Sequence, residues 1–99
     1  MQTLIRRFEN LETIDIEVLE EEIIFLAKNL EILRITDKIS NDAFLDAGMI
    51  QGGLTTISNL LSQGLKTQDV KGQLKRLKDK AIVLGDSYPE LDQLIESMR

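Results

Sequence analysis

The chain contains no histidine, no cysteine and no tryptophan, a single proline, and only three phenylalanines and one tyrosine in 99 residues. Each absence removes a class of chemistry. Without histidine there is no side chain whose ordinary titration lies near neutral pH, and no Ser–His or Cys–His nucleophile pair. Without cysteine there is no disulfide framework, thiolate metal site or thiol nucleophile. The longest apolar run, Ile23–Ala27, falls far short of the ~20 residues that a membrane-spanning helix requires. No apolar stretch follows Arg6 and Arg7, so no signal peptide is expected. These absences predict a cytoplasmic chain with no membrane, metal or cofactor role, and one that is not an enzyme.

Carboxylates are the only remaining catalytic groups, and their spacing does not converge. Glu20, Glu21 and Glu22 are consecutive, so about 100° of turn per residue spreads them around a helix. The Glu-x-x-His pairs of helical dinuclear sites are missing. Asp37, Asn41, Asp42 and Asp46 lack the alternating ligands and central glycine of an EF-hand loop, and they read as caps and solvated charge.

Three apolar seams at spacings of three and four are present instead. Ile16, Leu19, Ile23, Leu26, Leu30 and Leu33 form the first. Ala43, Ala47, Ile50, Leu54, Ile57 and Leu61 form the second, and Val70, Leu74, Leu77, Ala81 and Leu84 the third. This period lays one stripe along a helix, whereas a strand alternates every second residue. The pattern predicts an all-α fold: a small antiparallel helical bundle in one domain, residues 1–99. Its three main helices span about 15–36, 41–63 and 67–84, with short helices at both ends.

Thr3, Asp15 or Thr13, Ser40 and Thr67 are the expected N-caps. Gly64 and Gly85 are the expected stops, and Ser87-Tyr-Pro-Glu90 reads as a capping box before a last helix that buries Leu91, Leu94, Ile95 and Met98. Gly48, Gly52 and Gly53 fall inside the middle seam, where each costs about 1 kcal/mol relative to alanine. Unbroken heptad spacing favours a continuous helix there, with Gly48 and Gly52 as a point of close approach.

Charge is segregated. The acidic patch Glu17, Glu20, Glu21 and Glu22 opens the helix at 15–36. The basic patch Lys71, Lys75, Arg76, Lys78 and Lys80 lies on the helix at 67–84. In an up-down-up bundle these helices start at the same end. Cations near a helix N-terminus oppose its dipole, so Asp15, Glu20 and Glu22, within the chain or across a dimer, are the expected compensation for Lys66, Lys71 and Lys75.

The helix at 15–36 has a second apolar stripe, Val18, Phe25 and Ile32, repeating every seven residues. Such a stripe is either covered by the short terminal helices or shared with another chain. The reading adopted is the second. It makes the chain a non-catalytic protein–protein interaction module of the small inhibitor, adaptor, immunity or chaperone type. Val18, Phe25 and Ile32 would be partner-binding anchors, with a homodimer or hetero-complex as the assembly. The alternative is a nucleic-acid-binding accessory subunit that uses the basic helix 66–80.

Overall fold

The computed structural model describes residues 1–99 as five helices with no strand. They are α1 (Gln2–Glu9), α2 (Ile16–Ile35), α3 (Asn41–Ser62), α4 (Thr67–Ser87) and α5 (Leu91–Ser97). The expected all-α bundle of three main helices with a short one at each end is therefore the architecture found. No helix is long and apolar enough to cross a membrane.

Local chemistry explains most of the boundaries. Asp15 accepts from the Glu17 N–H at 2.9 Å and Ser40 from the Ala43 N–H at 3.0 Å, which satisfies donors that have no partner within their own helix. α3 ends where Gly64 takes φ 104°, a left-handed conformation that costs glycine little. The Leu65 N–H then returns to the Leu60 carbonyl at 3.1 Å, closing a Schellman turn. α2 closes in the same way on Asp37 at φ 57°, with the Lys38 N–H on the Leu33 carbonyl at 2.9 Å.

Four expected boundary devices are corrected. Thr3 does not cap α1: the helix starts before it, and its hydroxyl donates to Asp92 at 2.6 Å. Thr67 is buried at the first helical position, where its Oγ1 accepts from the Ile14 N–H at 2.8 Å; the cap residue is Lys66. Its own N–H is held at 2.9 Å by the Asp69 carboxylate. Gly85 does not end α4. A Cβ there would lie 3.0 Å from Gln2 Nε2, so the glycine admits α1 against α4 while the helix runs on to Ser87. Ser87 is consequently in the last turn of α4, and α5 starts after Glu90 without a side-chain cap.

α2 packs on α3 and α3 on α4, while α1 lies against α4 and α5 touches α1 and α2. The two short helices thereby close the gap between α4 and α2, and all five surround one continuous core. Seam residues fill it: Leu19, Leu26, Leu30 and Leu33 from α2, Ile50, Leu54 and Ile57 from α3, and Val70, Leu74 and Leu77 from α4. α1 adds Leu4, Ile5 and Phe8, and α5 adds Leu91 and Ile95. α3 is unbroken, but the close approach falls on a different glycine. A Cβ on Gly53 would collide with Leu77 Cδ2, whereas one on Gly48 or Gly52 would meet nothing within 4 Å. Gly53 lies on the α3 flank that faces α4; the other two glycines point outward.

Candidate interaction surfaces

The basic patch divides in two. The Lys71 ammonium donates to the carbonyls of Glu9 at 2.7 Å and Leu11 at 2.6 Å, placing positive charge where the α1 dipole ends. Lys78 pairs with the Glu9 carboxylate at 2.7 Å. Lys75, Arg76 and Lys80 remain exposed and form no ion pair. Of the three lysines at the start of α4, Lys71 is thus compensated by the end of α1, and within the chain Asp15, Glu20 and Glu22 pair with none of them. The two helices do begin at the same end of the bundle, joined by the Ile14–Thr67 bond. Asp15, however, is occupied as a cap.

Within the acidic patch, Glu17, Glu20 and Glu21 are exposed, and Glu22 is drawn into an internal network. Glu22 binds Arg7 at 3.3 Å and takes two bonds from Arg99, at 2.6 and 2.9 Å. Arg7 and Arg99 also share Glu96, at 2.8 and 2.9 Å. Hydrogen bonds from Arg99 to Glu22, opposed by partial desolvation and supported by Glu96, hold its guanidinium protonated more firmly than usual. Its carbon Cζ sits 4.3 Å above the centre of the Phe25 ring. The three α2 anchors are therefore unequal. Val18 is exposed, Ile32 is half-buried, and Phe25 is half-buried against the core beneath the last residue of the chain.

A second ion pair locks α1 to α5: the Met1 ammonium and the Thr3 hydroxyl both bind Asp92. Burial raises the Asp92 pKa, but the hydrogen bonds from the amino terminus and Thr3 outweigh that effect. Its carboxyl titrates below the ordinary value.

An uncovered apolar face lies elsewhere, on the outer flank of α3 and α4. Leu45 is 56% exposed, Met49 70% and Val83 65%. Met49 and Val83 stand on either side of a groove of about 210 Å³, floored by Ile50 and Leu84 and edged by Asp46 and Lys80. Leu45 lies one turn before Met49, and the stripe continues through Gly52 and Thr56 at spacings of four and three. Ile24 and Ile35 on α2 are as exposed but sit 11 residues apart, about three turns, with Lys28 and Glu31 between them. Isolated exposed apolar side chains are ordinary, and a contiguous group is not.

Sequence reading passed over this face. Leu45 and Met49 lie off the buried seam, two of the four stripe positions are glycine and threonine, and Val83 is adjacent to the seam residue Leu84. The available signal was the second heptad stripe, 45–49–52–56, on a helix that already carried one.

Other clefts are larger, and the two largest open at the ends of the bundle. One, of about 350 Å³, runs beside Ile14, Leu61, Leu65 and Thr67; the other, of about 320 Å³, lies between Ile39, Tyr88, Pro89 and Leu94. No group of three or more acidic side chains anywhere in the chain is arranged to hold a metal ion. Comparison with protein-family models, curated proteins and solved structures found no match.

Proposed function

We propose that the chain is a non-catalytic protein–protein interaction module of the cytoplasm whose contact surface is the α3–α4 groove. The observation that carries this reading is the exposure of Met49 and Val83 around an apolar floor, with Leu45 exposed one turn before Met49. Docking there removes apolar area from water, at about 25 cal/mol per Å². Methionine adapts its shape to a partner and is enriched at such contacts. Asp46 and Lys80 supply charge at the rim, which favours selection among partners more than raw affinity. Of the α2 residues first expected as anchors, Val18 is exposed, and Phe25 and Ile32 are half-buried, with Phe25 under the Arg99 guanidinium.

The nucleic-acid reading has less support. Two of its five cations, Lys71 and Lys78, are engaged by α1, and Asp79 lies among the remaining three. A backbone-tracking surface draws its affinity from several free cations acting together.

A photo-crosslinking amino acid placed at Met49, and separately at the outward-facing Lys28, tests the proposal in cells that naturally make the protein. A discrete covalent adduct from position 49 and none from position 28 is the expected result. No adduct at 49, or equal labelling from both positions, overturns it.

A further inference from the structure

We infer that the occupant of the α3–α4 groove is a second copy of this chain, packed α3 against α3 about a two-fold axis; this rests on the functional reading above. The antiparallel register supplies the first reason. Gly53 lies against Leu77, and Met49 and Val83 flank the same groove. Arg76 therefore stands level with about Thr55, toward the end of α3, while Asp42 and Asp46 stand at its beginning. An axis through the level of Met49 and Gly52 exchanges these ends. It sets Asp46 of one copy against Arg76 of the other, and the symmetric contact repeats the pair. The face is thus complementary to itself in charge as well as apolar at its centre.

The outward glycines supply the second reason. Gly48 and Gly52 have open space where a side chain would be, and both lie in regular helix, so no contact within the chain requires them. Next to Leu45 and Met49 they leave a shallow path along α3. A second helix can enter it closely, with Met49 of each copy level with Gly52 of the other and Leu45 level with Thr56. Arg76 is exposed and has no ion-pair partner within its own chain. Asp46 engages only the Tyr88 hydroxyl, at 3.3 Å, and a carboxylate has further acceptor capacity.

The test is the solution mass of the purified chain by sedimentation equilibrium, for the natural sequence and for Asp46→Arg and Arg76→Asp. Both substitutions are at exposed positions, and circular dichroism checks that helicity is retained. The natural chain is expected to sediment as a dimer. Each variant alone places like charges together twice and should dissociate at least about tenfold more readily. An equimolar mixture of the two variants restores both pairs as opposite charges and should recover the dimer. A natural chain that stays monomeric at about 0.1 mM overturns the inference, since that excludes association at ordinary affinities. So do single variants that dimerise as tightly as the natural chain, or a mixture that fails to recover. If the purified chain is monomeric while position 49 still yields an adduct with a different protein in cells, the self-association falls and the interaction-module reading stands.

Discussion

On its α1 side, α4 presents Lys71, Lys78 and Gly85, and each has a counterpart: two carbonyls, a carboxylate and the Gln2 side chain. On the flank beyond α3 it presents Val83, Lys80 and Arg76 beside Met49 and Leu45, and none of these is covered. One helix therefore carries a satisfied flank and an unsatisfied one. A small domain has little surface to spare for burial, so a closed side and an open side point to different uses. The closed side completes the bundle, and the open side leaves apolar side chains in water, the feature on which the proposed partner contact rests.

The sharpest way to break this comparison is to truncate one apolar side chain on each side. Phe8→Ala empties a fully buried position on α1 and should cost about 3–5 kcal/mol in urea unfolding. Met49→Ala removes a side chain that is 70% exposed and should stay within about 0.5 kcal/mol at concentrations where the chain is monomeric. Equal losses would mean that the α3–α4 face is part of the fold.

The lysines give a second contrast. Lys71→Met retains the aliphatic stem but leaves the Glu9 and Leu11 carbonyls without their charged donor, for an expected loss of about 1–2 kcal/mol. Lys75→Met, one turn along on the exposed side, should be neutral. Matching melting curves for the two variants would remove the claim that α1 compensates α4.

The glycines of α3 sharpen the comparison with opposite signs. Gly53→Ala presses a methyl group into Leu77 and should destabilise the chain by about 1–3 kcal/mol. Gly52→Ala points into open space and should stabilise the monomer by about 1 kcal/mol, because helical glycine carries an entropic penalty. In a self-associating chain, Gly52→Ala should also weaken the dimer, since it fills the path of close approach. Thermal melts and sedimentation run on the same samples separate the two effects.

These pairs also mark what was legible in the sequence. Buried seams are periodic, and period alone places Leu19, Leu54 and Leu74 in the core. Caps such as Asp15 and Ser40 act within three residues of themselves and are equally readable. What escaped depends on contacts across the fold. Gly85 looked like a helix stop because its reason, the Gln2 side chain, is 83 residues away. The cover over the Phe25 ring was not legible, because Arg99 lies 74 residues later. Lys71 looked free because main-chain carbonyls leave no mark in a sequence. The α3–α4 face was missed for a related reason: exposure is the absence of a neighbour, and periodicity cannot register it.

The smallest expected effect concerns the lock between α1 and α5. Asp92 holds the Met1 ammonium and Thr3, and its carboxyl titrates below the ordinary 3.8. A carboxylate with a lowered folded-state pKa binds fewer protons when folded than when unfolded. Its contribution is therefore complete above the unfolded value of about 3.9 and declines as pH falls through the folded one. Asp92→Asn should accordingly be less stable than the natural chain by a constant margin from neutral pH down to about 5, and the gap should close below about pH 4. Urea midpoints followed by helical circular dichroism across that range measure it. A gap that stays constant into strong acid would show that the amide, not the charge, makes the difference, and the lock would then rest on hydrogen-bond geometry. A gap that closes would show that α5 is held by the same kind of charge pairing that ties α4 to α1, whereas α3 is joined to its neighbours by no ion pair at all.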